Sequence, residues 1–404
     1  MKLLYIASID FYSKPNPSFH LMTTMLEDLL NDGIEVLYVG IEEAGLEKHI
    51  PDFLEKRRGF SYHLIACPKV KKSNFAGRYL EGIRYSKVAK KYINRYINEC
   101  DVIFVQSSPT ALYTLYYARK YAKNKHIIYN VQDMFPGSSI ASGVMPRKWM
   151  QFLFYGLQKI AYKKADVITA ISEDMKNKLL EQGVPEKKIK VIVNWFDDSS
   201  VKEVLWENNR FVQKYNLNRE KFYVQYAGTM GYVFDYEMVL KVAERLKGHN
   251  DIVFHMIGEG SQKEEFICKS RQKKLDNIVF LPLEPQEMVS DVYSACSVCF
   301  IPLKKGVIGN SVPSKAGLLM ACKRAIVTSV DEKTHYSTMI NEHAGIAASN
   351  DDPETIAQAI LYLKRNREKC NELGEKGYVY GHKLYSRSQN MHKYIELIRT
   401  CSCK

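Results

Sequence analysis

GVIGNSVPSKAGLLMACKRAIVT, residues 306–328, decides how this chain is read. An apolar run at 297–303 precedes it and a second, at 325–327, closes it. Between them Ser311, Pro313 and Ser314 favour a helix start, and residues 318–321 favour its continuation. The stretch therefore reads as strand, loop, helix, strand. A polar loop entering a helix presents unpaired backbone N–H groups, a seat suited to phosphate. Lys315 falls in the first turn, where a cation opposes the helix dipole. An anion beside it would explain the placement; a solvated lysine on a capped surface helix is the plainer alternative.

The same alternation extends upstream. Strands are predicted at 223–227, 252–257, 278–281 and 297–301, the first two followed by GTMG and GEGS. A helix fits 236–246, and 353–398 reads as largely helical. The first half repeats the pattern, with strands at 3–9, 34–39, 60–66, 101–106, 127–131, 166–171 and 189–193. Helices fit 20–31, 78–98 and 149–164. In the helix at 78–98 an apolar stripe (Tyr85, Val88, Ala89, Tyr92, Ile93, Tyr96, Ile97) opposes Lys87, Lys90, Lys91 and Arg95, so it faces either the core or an anionic membrane. In the helix at 149–164, Phe152, Leu153, Leu157, Ile160 and Ala161 are placed on one face. The polar stretch 197–220 is taken as interdomain. Two successive α/β halves predict two Rossmann-like domains facing a cleft, at 1–200 and 201–385, with 386–404 as a terminal segment.

Composition supports two soluble domains. The chain has 404 residues, 46% hydrophobic and 25% charged, and no apolar run approaches the ~18 residues of a membrane span. The N-terminal apolar run is better read as a first strand than as a signal peptide. Nine scattered cysteines, an odd number, suit reduced thiols in a cytoplasmic protein, and the lone CxxC of Cys296 and Cys299 lacks the second pair a zinc site needs, so no metal is expected. The net charge of +13 is concentrated: residues 51–150 hold 18 Lys or Arg against 6 Asp or Glu. That excess implies a positive face on the first domain, turned toward something anionic. No nucleic-acid reader motif accompanies it, so no nucleic acid is expected.

Three loops follow strands and precede helices in the second half: 228–231, 258–260 and 310–315. Loops at strand carboxyl ends line the ligand crevice of an open α/β sheet, and glycines there let a ligand approach the backbone. Together they favour a nucleotide or diphosphate ligand. The pattern GxGxxG is absent from the first βα turn, which argues against a nicotinamide enzyme. Glu259 can reach a ribose or stay in solvent. Asp133, after a buried strand, can orient a hydroxyl or act as a base, or serve the turn. His20, opening a helix, can bind an acceptor or only cap.

The ordered motifs VQDMFP, ITAISEDMKNKL, VIVNWFD, YAGTMG, HMIGEGS, NIVFLPL, SVCFIPL and SVPSKAGLLMA resemble the retaining nucleotide-sugar glycosyltransferases of family four, in their bacterial capsule, O-antigen and exopolysaccharide branch. The resemblance covers almost the whole chain. It implies the GT-B fold, with the nucleotide diphosphate sugar, UDP-linked, on the second domain. The first domain would hold a lipid-linked or growing polysaccharide acceptor, with the enzyme peripheral at the inner face of the cell membrane. The last helix would cross back to the first domain. By position, Gly228 and Thr229 would lie near the diphosphate; Gly258, Glu259, Gly260, Leu281 and Pro282 near the nucleoside; and Ser311, Pro313, Ser314 and Lys315 at the phosphates. Asp133 would face the sugar, and His20 the acceptor. Catalysis is assigned to Asp133, Lys315 and Asn310, with no cofactor beyond the donor substrate. Two glutamates common in the family correspond to Asn310 and Leu318, its small glycine to Lys323, and the basic or amide groups of its first loop in the second domain to Thr229 and Phe234. These departures raise a non-catalytic or regulatory nucleotide-sugar-binding homologue as the alternative.

Overall fold

Strands buried on both faces need continuous apolar runs, and parallel strands need crossover helices. The structure, a computed structural model, describes residues 1–9, 17–43, 50–68, 70, 74–122, 124–141, 143–145, 147–313 and 315–403. It divides into two units: 1–140, 145–194 and 390–404 form the first, 141–144 and 195–389 the second.

In the first unit the order is β1 Lys2–Ile6, α1 Pro17–Asn31, β2 Glu35–Glu43, α2 Asp52–Glu55, β3 Phe60–Cys67, α3 Phe75–Tyr96, β4 Val102–Gln106, α4 Ala111–Ala122, β5 His126–Val131, α5 Gly137–Ala141, α6 Lys148–Lys164, β6 Val167–Ala170, α7 Glu173–Glu181 and β7 Ile189–Val191. Its sheet is parallel, ordered β3-β2-β1-β4-β5-β6-β7. Strand β4 is buried from Val102 to Val105, as its unbroken apolar run requires. The stripe on α3 faces the core: Tyr85, Ala89 and Ile93 are buried, while Lys87, Lys91 and Arg95 are exposed.

Helix α6 departs from expectation. Its buried residues are Phe154, Gln158, Ala161 and Tyr162, whereas Phe152, Leu153 and Ile160 are exposed. The segment is apolar nearly all round, so periodicity alone could not choose the inward side. Phe154, packing edge-on against Tyr79 and Phe135, chose it.

The second unit runs α8 Arg210–Tyr215, β8 Phe222–Ala227, α9 Tyr236–Arg245, β9 Ile252–Ile257, α10 Lys263–Gln272, β10 Ile278–Leu281, α11 Val289–Ser294, β11 Val298–Pro302, α12 Lys315–Ala321, β12 Ala325–Val330, α13 His335–His343, β13 Gly345–Ser349, α14 Pro353–Arg365 and α15 Arg367–Tyr385. The last helix, α16 Arg387–Ser402, belongs to the first unit from Asn390 onward. There Tyr394 donates to Asn130 Oδ1 at 3.1 Å. The second sheet is parallel, ordered β10-β9-β8-β11-β12-β13. Strand β8 shows the period of two: Phe222, Val224 and Tyr226 enter one core layer, Tyr223 and Ala227 the other.

The polar stretch after 197 is part of this unit. Asn209 caps α8, Phe211 is fully buried, and Lys214 and Tyr215 both reach Glu284, at 2.8 and 2.6 Å. Its charged residues are polar because they pair, so composition alone misplaced it as a connector. Both units are thus Rossmann-like, each with an order reversal at mid-sheet: between β1 and β4, and between β8 and β11.

Candidate active site

The reversal between β8 and β11 is where a ligand crevice forms in such sheets. Pairing between the two strands ends at Cys299↔Gln225, although β8 continues to Ala227 and β11 to Pro302. Their carboxyl ends therefore part, and the loops after β8, β9 and β10 gather beside the gap. Gly228 N donates to Ile257 O at 2.9 Å, Gly258 N to Leu281 O at 3.2 Å, and Met230 N to Glu259 O at 2.8 Å. The Gln262 amide adds bonds to the carbonyls of Gly231 and, at 3.0 Å, Phe234. These bonds lock the three loops into one rigid rim.

The glycines of this rim are needed for the rim itself. A Cβ at Gly258 would collide with the Gly228 carbonyl, and one at Gly260 with the Met230 carbonyl. Both positions thus permit loop to pack on loop, a reason the sequence does not disclose. Gly228, at φ +142°, is different: a Cβ there would collide with the ammonium of Lys315. Residues 87 apart in sequence thus meet at the open end of the strands.

Lys315 begins α12, whose Ala316, Leu319 and Met320 are buried and fix its direction. Its Nζ lies 4.0 Å from the centre of the Tyr226 ring and donates to Tyr226 Oη at 2.9 Å. Tyr226 in turn donates to Thr229 O at 2.7 Å, so its single proton is committed and its oxygen accepts from the lysine. Burial raises the Tyr226 pKa, which keeps the phenol neutral. Burial lowers the Lys315 pKa to about 8, because no carboxylate among the described residues pairs with the ammonium to offset its desolvation. The site therefore holds a half-buried cation packed against the bare backbone of Gly228. An anion is its natural complement.

Other expected residues have other placements. Asn310 is buried, and its side-chain amide donates to Gly306 O at 2.9 Å, so it ties the loop to itself. Asp331 holds the same loop through Gly306 N at 2.8 Å. Ser311 N donates to Val307 O at 3.0 Å, and Pro313 O accepts from Ala316 N at 3.3 Å. Ser314 lies outside the described residues. Glu259 is exposed and pairs with Lys263 at 2.7 Å. Leu281 ends β10, and Pro282 beyond it is exposed. Phe234 is buried on Tyr226, ring centres 4.3 Å apart, and backs the lysine platform. Leu318 packs against the core. Lys323 adopts φ +54°, the left-handed geometry that suits glycine, at the end of α12.

In the first unit, His20 lies in the opening turn of α1 and Asp133 is exposed just after β5. Cys296 and Cys299 are buried free thiols, Sγ atoms 3.5 Å apart.

Sequence reading missed Tyr226, Gln262 and Lys304. Lys304 Nζ donates to Gln262 Oε1 at 3.0 Å and steadies the rim. Tyr226 was visible only as one apolar strand residue. Its polar tip at the strand end was the available signal.

Residues 207–380 match the family model described as Glycosyl transferases group 1, and residues 21–200 match Glycosyltransferase Family 4. The chain is 24% identical over 306 residues to the probable glycosyltransferase WbjE of Pseudomonas aeruginosa, covering 75% of this chain and 74% of that one. It is 24% identical over 209 residues to the putative colanic acid biosynthesis glycosyl transferase WcaI of Escherichia coli, covering 50% and 51%. Among solved structures, sucrose-phosphate synthase from Thermosynechococcus elongatus superposes with a TM-score of 0.76 at 14% identity, over 99% of this chain and 98% of that one. HepE of Anabaena, solved with UDP and glucose, gives 0.72 at 13%, over 99% and 100%.

Proposed function

We propose that this chain, a glycosyltransferase of the GT-B fold by the models matching both its halves, transfers a sugar from a UDP-sugar to a lipid-linked or growing polysaccharide acceptor. The work would be done at the inner face of the cell membrane, in surface polysaccharide synthesis, with the anomeric configuration retained. The observation that carries the reading is the Lys315 ammonium, without a carboxylate partner among the described residues, lying against Gly228 at the parted ends of β8 and β11. UDP bound to HepE and the colanic acid pathway in the name of WcaI support the donor and the pathway class.

In this reading the bond between the sugar's anomeric carbon and the diphosphate oxygen breaks, a bond to the acceptor's hydroxyl oxygen forms, and the hydroxyl's proton passes to the departing diphosphate. Negative charge grows on the departing diphosphate. Lys315 and the backbone at Gly228 and Thr229 meet that charge, aided by Ser311, Pro313 and Ser314, so no protein-bound metal is needed. Gly258 to Gly260, Leu281 and Pro282 seat the nucleoside. Asp133 orients the reacting sugar, and His20 contacts the acceptor. Asn310 acts as a positioning residue, through its hold on the 306–311 loop.

The test is transfer of isotope-labelled sugar into membrane lipid from a panel of nucleotide sugars, with and without a chelator. Label should appear from a UDP-sugar, chelator or not. A folded protein that turns over no donor would sink the proposal.

A further inference from the structure

Helix α6 carries apolar residues on both of its sides. Its inner side is packed, and its outer side runs Trp149, Phe152, Leu153, Gly156 and Ile160 at helical spacing. Phe152 is 85% exposed and Trp149 63%, with Leu153 and Ile160 near half. Single exposed apolar side chains are ordinary. Two aromatic rings and two aliphatic side chains along one helical face are a patch, and such patches mark interaction surfaces.

Surrounding charge says what the patch meets. Helix α4 packs against both α3 and α6. These helices carry six, two and four Lys or Arg on α3, α4 and α6, against the single acid Glu81, which Arg84 contacts at 3.5 Å. Lys148, Lys159 and Lys163 border the patch on α6 itself and are exposed. Lys164 leans over the half-exposed Tyr116 ring of α4, 5.8 Å from its centre. Among the described residues no helix is long and apolar enough to cross a membrane. A second copy docked through this face would bring two basic layers together, which like-charge repulsion opposes.

We propose that the outer face of α6 docks on an anionic lipid bilayer. Trp149 and Phe152 enter the boundary between headgroups and acyl chains, with Leu153 and Ile160 beside them. The lysines of α6, backed by those of α3 and α4, meet the lipid phosphates. Aromatic rings favour that boundary, lysine stems lie along it with their charges outward, and basic clusters hold to anionic leaflets. This deepens the membrane-facing part of the proposed function, yet it stands on α6 and its neighbours.

The full chain is to be sedimented with vesicles of phosphatidylcholine mixed with phosphatidylglycerol, and with pure phosphatidylcholine vesicles. It should bind the mixed vesicles, and bind less as salt rises. Trp149→Ser with Phe152→Ser should lower the partition coefficient at least about tenfold. Lys159→Gln with Lys163→Gln should lower it several-fold and flatten the salt dependence. Brominated lipid should quench Trp149 in a Trp206→Phe background, since Trp195 is buried and the half-buried Trp206 is then removed. These exposed positions should leave the melting midpoint and the nucleotide-induced thermal shift unchanged.

Absence of wild-type binding to anionic vesicles would overturn the proposal, as would equal binding by the aromatic variant. A dimer in light scattering that the aromatic variant dissolves would overturn it in favour of a second copy. Vesicle binding by a protein that transfers no sugar would leave the docking face standing and count against the transfer reading alone.

Discussion

Replacing Lys315 by Met should stabilise the protein and impair its ligand binding together. The ammonium is desolvated, with one hydroxyl and one ring face as partners, and its pKa is lowered from 10.5 to about 8. A drop of that size corresponds to roughly 3 kcal/mol against the charged form, an upper bound because the residue is only half-buried. Met retains the volume and removes the charge, so a gain of about 1–3 kcal/mol is expected at pH 7. The sign follows from the depressed value: the penalty is fully present below about pH 8 and disappears as pH rises toward the unfolded value of 10.5. Urea unfolding at pH 7 and pH 10.5, with the slope checked for constancy, measures the difference. The Met variant should have the higher midpoint at pH 7, and the gap should shrink at pH 10.5. A thermal-shift titration with UDP should show the opposite, with most of the ligand-induced stabilisation lost. A Met variant less stable than wild type at pH 7, or one that binds UDP unchanged, would refute the reasoning.

The same lysine makes nucleotide affinity pH-dependent: an anion raises its pKa, so calorimetric affinity should be flat below about pH 8 and weaken above it, with proton uptake on binding only in that upper range. Gly258→Ala and Gly260→Ala each drive a Cβ into a neighbouring loop's backbone, so each should cost about 1–3 kcal/mol in a melting experiment and weaken nucleotide binding. Asn310→Asp replaces a donor with an acceptor facing the Gly306 carbonyl, so it should lower stability by about 1–3 kcal/mol and bring no gain in transfer rate. Gly156→Ala lies on the exposed side of α6 with open space at its Cβ, and should raise stability by up to ~1 kcal/mol.

The two parallel sheets were legible because strands such as β4 and β11 are buried on both faces and so read as unbroken apolar runs. The inward face of α3 was legible for a related reason: one side is apolar and the other lysine-rich, so only one orientation buries no charge. Helix α6 was not, since both of its sides offer apolar residues and the choice was made by Phe154 against rings on α3 and before α5. Residues around 210–215 looked like a connector because their charges pair with Asp291 and Glu284, some 70 to 81 positions later.

At residues 306–328 the division is clearest. The order of strand, loop, Pro-Ser-Lys and helix is local, and local propensity with apolar patterning was enough to determine it. What Lys315 touches is not local. Tyr226 lies 89 positions earlier, and Gly228 lies beside it only because β8 and β11 pair at the reversal of strand order and then part. The glycines at 258 and 260 carry the same lesson. Sequence shows that a side chain is missing there, and only the packed sheet shows that a neighbouring backbone fills the space. Chain-local chemistry specified the elements; the desolvation and partnership that tune the lysine arose from contacts that close only when the sheet is assembled.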